Sequence, residues 1–125
     1  MTVRVASSAV AALLAACLGA VKSDAAAPGA PSCSVTRLVA IGSRLEGKPD
    51  SGVFAAYGNK LRQVSYDPIP GLQASRPGDR VRLCVISRPK GCPPGDARGA
   101  VYGATNLRTG QRWRAADSSH RCGGA

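Results

Sequence analysis

His120 is the one histidine of this 125-residue chain, and Ser118 and Cys122 lie two residues to either side of it. A serine or cysteine next to a histidine can act as a nucleophile if the imidazole takes its proton. Catalysis of that kind also needs a group that orients the imidazole and donors for the oxyanion, which proximity in sequence does not supply. The chain contains no Gly-x-Ser-x-Gly nucleophile elbow. We therefore predict no catalytic residue and no enzyme activity.

The chain has five cysteines, and their spacing decides which chemistry they could carry. The closest two in sequence, Cys84 and Cys92, have seven residues between them, whereas zinc ligands typically come in pairs about two to four residues apart. Redox enzymes commonly use Cys-x-x-Cys, which is absent from this sequence. We therefore predict no metal site, no cofactor, and disulfide bonds formed among Cys33, Cys84, Cys92 and Cys122.

The pairing of these cysteines is left open by their positions, because four cysteines can pair in three ways. The favoured pairing joins Cys84 to Cys92 across a turn at residues 88–91, and clasps the ends of the domain through Cys33 and Cys122. The main alternative joins Cys33 to Cys84 and Cys92 to Cys122. Either pairing would stabilise a domain with few aromatic residues and a thin core.

The N-terminal segment predicts export. One basic residue precedes the uncharged stretch Val5–Ala16, which is rich in Ala, Val and Leu, and this order is typical of a secretory signal peptide. Cleavage after Ala25 would make residues 1–25 the signal peptide of a soluble product. Leu14–Cys17 instead resembles a bacterial lipobox, which implies that Cys17 is lipidated and begins the mature protein. We expect a periplasmic or secreted protein, with a membrane-anchored lipoprotein as the alternative.

The elements after this segment are short strands. Residues 26–32, rich in Ala and Pro, are expected to form a flexible tether, and residues 33–125 a single domain. Within the domain, runs of alternating or β-branched residues bounded by Pro, Gly and Asp predict strands at 34–41, 53–57, 60–66, 80–87, 98–106 and 111–115. Alternation turns Val35, Val39 and Ile41 to one face of the first strand, and segments 47–52 and 67–77 are expected to be loops. The predicted class is all-β, a small disulfide-stapled barrel or sandwich of about five or six short strands.

Arginine is the second notable residue type, and the formal net charge is +10. If the strand is taken from 80 to 88, alternation turns Val81, Leu83 and Val85 to the core and the arginines to solvent. Trp113 likewise faces away from the arginines on either side of it. If both strands share a sheet, they form one cationic surface that could bind an anion, with Arg80, Arg82, Arg88, Arg112 and Arg114 as its members. The alternative is a solvated face without a ligand.

These features favour an exported, non-enzymatic interaction module of the bacterial envelope. Its expected partner is anionic envelope material or an acidic protein; nucleic acid is not favoured, and membrane contact is expected only through a lipid at Cys17. A second hypothesis is a secreted inhibitor of a protease or lysozyme-like enzyme that presents loop 67–77 or 89–94. The least favoured hypothesis is a small hydrolase that uses His120.

Overall fold

The computed structural model describes residues 32–124, which form a closed barrel of six antiparallel strands with one short helix. The elements are β1 (Cys33–Leu45), β2 (Lys48–Tyr57), β3 (Arg62–Ser65), α1 (Pro70–Gln73), β4 (Arg80–Ser87), β5 (Val101–Asn106) and β6 (Arg112–Ala116). The all-β prediction is confirmed, and the form is a barrel. The predicted signal peptide, the lipidation at Cys17 and residues 26–31 of the predicted tether lie outside the described residues.

Two meanders build the barrel, and its strand order is β1-β2-β3-β6-β5-β4. They join through β1 with β4 and through β3 with β6. The β1–β4 pairing extends from Cys33 opposite Cys84 to Arg37 opposite Arg80, whereas β3 and β6 share the single pair Val64 and Ala116. The β3–β6 junction is therefore a seam with few backbone hydrogen bonds, and side chains inside the barrel must help to close it.

Apolar side chains fill the barrel interior because alternate residues of each strand point inward. The buried set includes Leu38, Ala55, Val81, Leu83 and Ala104. Helix α1 closes one end of the barrel: Leu72 is 1 % exposed, and Gly71 lies so close to the Trp113 indole that a Cβ there would come within 2.6 Å of the ring. Burying a leucine side chain stabilises the fold by about 1.5–3 kcal/mol, so α1 is part of the core.

A buried amide links the two sides of the seam. Gln63 on β3 is fully buried, and its Oε1 accepts hydrogen bonds from the Tyr57 hydroxyl (2.6 Å) and the Trp113 indole N–H (3.0 Å). Its Nε2 donates to the carbonyls of Tyr102 (3.0 Å) and Ala115 (3.2 Å). Burial raises the pKa of the Tyr57 phenol well above its usual value, which keeps that donor protonated. One side chain thus connects β2, β3, β5 and β6.

Two segments predicted to be loops contain regular structure. Most of segment 47–52 belongs to β2, because the β1–β2 turn is confined to Glu46 and Gly47, where Gly47 has a φ of +71°. The long partner strand β1 supplies the hydrogen bonds that local composition does not predict. Segment 67–77 contains α1, which begins with a proline, a residue that suits the first turn of a helix. No helix within residues 32–124 has the length and apolarity needed to cross a bilayer.

Two strand predictions were also wrong in detail. The predicted strand at 98–106 begins only at Val101. In β1, Val35 and Val39 are exposed, at 50 % and 57 %, whereas Ile41 packs against the core. A register shift between Leu38 and Ala40 explains this difference, because a β-bulge adds one residue and reverses the alternation beyond it.

The disulfides are Cys33–Cys84 and Cys92–Cys122, so the favoured pairing was wrong and the alternative is observed. That prediction required the chain after Cys84 to turn back and place Cys92 opposite it. The residue opposite Cys84 on β5 is instead Gly103, and Cys33 of β1 lies opposite on its other side. The presence of both disulfides fits an oxidising extracellular or periplasmic environment.

Candidate functional site: an arginine face

The outer surface of β4 carries the first two predicted arginines. Val81 and Leu83 are buried, whereas Arg80 and Arg82 are exposed, as strict alternation requires. Cys84 is the next outward residue, and its disulfide to Cys33 lies on the same outer surface. The sequence prediction that alternation turns these arginines to solvent therefore agrees with the exposure of the strand.

The arginines of β6 lie on the same sheet, two strands away. Arg112 and Arg114 are exposed on either side of the buried Trp113. The register runs from Arg82 through Thr105 on β5 to Arg112. Two strand spacings are about 10 Å, so the two arginine-bearing strands present their charges in parallel rows. The structure thus brings together four of the predicted residues, Arg80, Arg82, Arg112 and Arg114.

Strand β5 forms the floor between these rows. Gly103 has no side chain, and Thr105 is short, so the surface dips between β4 and β6 into a depression of about 400 Å³. Ile86 leans over Gly103, where an added Cβ would lie 3.1 Å from its Cδ1. Arg112 and Arg114 line the depression, which leaves their guanidinium groups accessible from outside the barrel.

Arg37 joins this surface, and it was not among the predicted residues. It is exposed on β1 directly opposite Arg80, and its Nη1 donates to the Gly78 carbonyl at 3.1 Å. The disulfide could have revealed it, because an antiparallel register that sets Cys33 opposite Cys84 also sets Arg37 opposite Arg80. We call these residues the arginine face; its members are Arg37, Arg80, Arg82, Arg112 and Arg114.

Arg88 is not part of the arginine face. It is exposed one residue beyond the end of β4, after a register shift between Val85 and Ser87. It lines a different depression, together with Tyr66 and His120. The bulge and the end of the strand interrupt the alternation that predicted its direction, so its position is set by the following loop.

No carboxylate of residues 32–124 forms an ion pair with a member of the arginine face. The ion pairs within residues 32–124 are Arg76–Asp79, Arg98–Asp96 and Arg108–Asp79, and none includes a member of the face. The strands β4, β5 and β6 contain no Asp or Glu. The charges of the face are therefore available to an external anion.

Asp79 shows the contrasting arrangement, an acid used by the fold itself. Its carboxylate accepts hydrogen bonds from Arg108 Nε (2.6 Å), Arg108 Nη2 (2.9 Å) and Asn106 Nδ2 (2.8 Å). The Arg108 hydrogen bonds hold the pKa of this carboxyl well below its usual range. This cluster orders the end of the barrel near α1. Both oxygens of the Asp79 carboxylate accept hydrogen bonds from the protein itself.

His120 lies on a separate cleft beside the seam, together with Ser118 and Ser119. The cleft, of about 880 Å³, is lined by Phe54, Arg62 and the loop at 117–120. The Ser118 hydroxyl accepts a hydrogen bond from the backbone N–H of His120 at 3.2 Å, which is a local turn contact. Within residues 32–124, no group of three His, Cys, Asp or Glu is placed to hold a metal ion.

Comparisons with protein-family models, with curated proteins and with solved structures find no match to this chain. The class of the protein is therefore defined by its own coordinates: a closed six-stranded all-β barrel with two disulfides. Its arginine face presents five arginines that form no ion pair with a carboxylate of the described residues.

Proposed function

We propose that this protein is an exported, non-enzymatic binding module of the bacterial envelope that recognises an anionic partner through the arginine face. The observation that carries the proposal is the convergence of its five arginines, from three strands, on one surface without a carboxylate partner among the described residues. Periplasmic or secreted location, with a lipid on Cys17 as the alternative, belongs to the same proposal and is supported by the disulfides.

The chemistry of arginine supports this choice of ligand. A guanidinium group stays charged at all physiological pH values and presents donors in a fork that matches phosphate and carboxylate groups. Several such groups on one surface attract an anion from a distance and hold it by multiple contacts. Because the β4 and β6 rows are held by a closed sheet, the protein loses little backbone entropy when it binds.

The proposal is tested by removing charge from the arginine face and, as a control, from the other side of the barrel. The test variant is Arg82→Gln, Arg112→Gln, Arg114→Gln, and the control is Lys48→Gln, Lys60→Gln, Arg62→Gln on β2, β3 and their turn. We expect heparin, a soluble polyanion, to bind the test variant about tenfold more weakly than the native protein, from modest losses at three exposed contacts. The control should change binding by less than about twofold.

Ionic strength supplies the second arm of this test. Binding through exposed charges weakens as salt screens them, so the native protein should lose affinity for heparin steadily as sodium chloride is raised. Binding that is absent, that does not respond to salt, or that falls equally in the test and control variants would contradict the proposal.

An exposed loop held by the Cys92–Cys122 disulfide supports the inhibitor hypothesis. Residues 89–94 are mostly exposed and contain Cys92, whose disulfide to Cys122 holds the segment against the C-terminal loop. Asp96 adds contacts to Arg98 and to the backbone N–H of Gly123. A rigid, exposed loop is what an enzyme inhibitor presents, whereas segment 67–77 is packed on the core through Leu72. Inhibition of a protease or lysozyme that persists in the arginine variant would favour this second function.

A further inference from the structure

Exposed apolar side chains lie among the charges of the arginine face. Val35 is 50 % exposed and lies opposite Arg82 in the β1–β4 pairing. Leu107 is 46 % exposed, and its backbone N–H donates to the carbonyl of Arg80 at 2.9 Å. Ile86 is 41 % exposed beside the outward disulfide. Three of the six large hydrophobic residues exposed in the described chain therefore border this one surface.

A soluble polyanion would satisfy the guanidinium groups of this surface but not its apolar groups. The interface of a bilayer offers both, because phosphates lie just above the boundary of the acyl chains. Arginine suits that boundary, since its aliphatic stem can lie along apolar groups while the guanidinium reaches the phosphates. The alternation of charge and apolar area thus distinguishes a lipid surface from a polyanion or an acidic protein.

The chain enters the barrel on the side that carries the arginine face. The carbonyl of Ser32 accepts a hydrogen bond from the backbone N–H of Val85 at 2.9 Å, so the chain reaches β1 along β4, at the border of the arginine face. Fifteen residues separate Cys17 from Cys33 in the sequence. A lipid on Cys17 would therefore be attached to the edge of the barrel that carries this surface.

We infer that the arginine face, with Val35, Ile86 and Leu107, lies on a bilayer surface that contains anionic lipid. This inference rests on the proposed function and names its partner. It differs from the expectation that the membrane is reached only through a lipid at Cys17, because here the folded domain itself makes the contact. The guanidinium groups would bind lipid phosphates, and the apolar residues would enter the boundary between headgroups and acyl chains.

The test uses the full chain, vesicles of phosphatidylglycerol mixed with phosphatidylcholine, and vesicles of phosphatidylcholine alone. The lipid variant is Val35→Ser, Leu107→Ser, and its matched control is Leu45→Ser, Tyr66→Ser, which removes similarly exposed apolar groups from outside the arginine face. All chains share the same N-terminal segment, so differences between them report on the barrel. Co-sedimentation gives the partition coefficient, and heparin binding is measured in parallel.

We expect the native protein to partition preferentially into the anionic vesicles. The lipid variant should lose about tenfold in partition, as expected for two half-exposed aliphatic side chains, while its heparin affinity stays within about twofold. The control variant should match the native protein in both assays. Circular dichroism confirms that each variant is folded.

Each other outcome overturns the inference in a distinguishable way. If the lipid variant partitions like the native protein while heparin binding persists, the partner is a soluble polyanion or an acidic protein, and the proposed function survives without the membrane. Equal partition into anionic and neutral vesicles would show that the arginines do not contribute to membrane binding. If the native protein binds neither heparin nor anionic vesicles, the proposed function itself is contradicted.

Discussion

The carboxamide of Gln63 takes the place of water for groups that the barrel must bury. It accepts from both Tyr57 and Trp113 through one oxygen, and its nitrogen donates to backbone carbonyls of β5 and β6. A buried donor left without a partner costs more than an ordinary hydrogen bond gains. Gln63 therefore permits an aromatic pair with polar groups to occupy the interior next to the seam.

Replacing this amide should be among the more destabilising single substitutions in the chain. We expect Gln63→Leu to lower the free energy of unfolding by about 2–5 kcal/mol, because it leaves the phenol O–H and the indole N–H unpaired. Gln111→Leu, at an exposed position, should change it by no more than about 0.5 kcal/mol. Urea unfolding followed by Trp113 fluorescence measures both. A Gln63→Leu protein as stable as the native one would refute the role of the network.

Asp79 is the residue through which pH should act on stability. Its folded-state pKa lies below its value in the unfolded chain, chiefly because Arg108 donates hydrogen bonds to it. The stabilisation is therefore complete above the unfolded pKa of about 4 and is lost as the pH falls toward the folded pKa. Hydrogen bonds from Arg98 lower the pKa of Asp96 in the same way. Asp96 therefore adds to the loss of stability at acid pH, which we call the acid limb of the stability profile.

The urea midpoint of the native protein should accordingly be level from about pH 7 to about pH 5 and should fall below about pH 4. Asp79→Asn should be less stable at neutral pH, since it weakens the contacts with Arg108, and its midpoint should depend less steeply on acid. The remaining slope is assigned to Asp96. An Asp79→Asn protein whose acid limb is as steep as that of the native chain would show that another group controls it.

At the level of the strands, β4 is the element on which both the core and the surface depend. Its inner residues Val81 and Leu83 are buried, and its outer residues supply two arginines and a disulfide cysteine. Cys33–Cys84 joins β4 to β1 across 51 residues of sequence. Because β1 and β4 belong to different meanders, this bond restricts the unfolded chain at the place where the barrel closes.

Tryptic digestion of the unreduced protein should recover the two observed disulfides. The sequence places Arg or Lys between all four cysteines, so each lies on its own tryptic peptide. We expect the peptide ending at Arg37 to be linked to the one containing Cys84, and the peptide containing Cys92 to the C-terminal one. A Cys84–Cys92 link would contradict the β1–β4 register. The double variant Cys33→Ala, Cys84→Ala should lose about 2–4 kcal/mol of stability.

For the molecule as a whole, closure of the barrel brings arginines from three strands onto one surface. The arginine face occupies β4, β6 and the first part of β1, whereas Glu46 and Asp50 lie at the β1–β2 hairpin and Asp67 follows β3. The five arginines of the arginine face form no ion pair within residues 32–124, and this local positive charge can orient the approach of the molecule to an anionic partner. The arginine variant and its Lys48, Lys60 and Arg62 control test this distribution directly.

How far the sequence predicted this arrangement differs from strand to strand. On β4 and β6, strict alternation predicted the buried Val81, Leu83 and Trp113 and the outward arginines, because a regular strand repeats every two residues. Val85, also predicted to face the core, is only partly buried, because it lies next to the register shift that ends the regular part of β4. On β1 the same rule correctly placed Val35 and Val39 on one face but failed for Ile41, because the bulge after Leu38 reverses the alternation beyond it. The prediction that Arg88 joins the arginine face was wrong for a related reason, since Arg88 follows the last residue of β4. Alternation predicts direction only within an unbroken strand.

The amino-acid sequence by itself determined the all-β class, the use of Cys33, Cys84, Cys92 and Cys122 in disulfides, and the outward direction of Arg80, Arg82, Arg112 and Arg114. These properties follow from residue type and local periodicity. The folded barrel decided which cysteines pair, that β5 lies between the two arginine strands, and that Arg37 joins them. Those relations depend on hydrogen bonds between strands far apart in the chain, and no local pattern specifies which distant strand will be the neighbour.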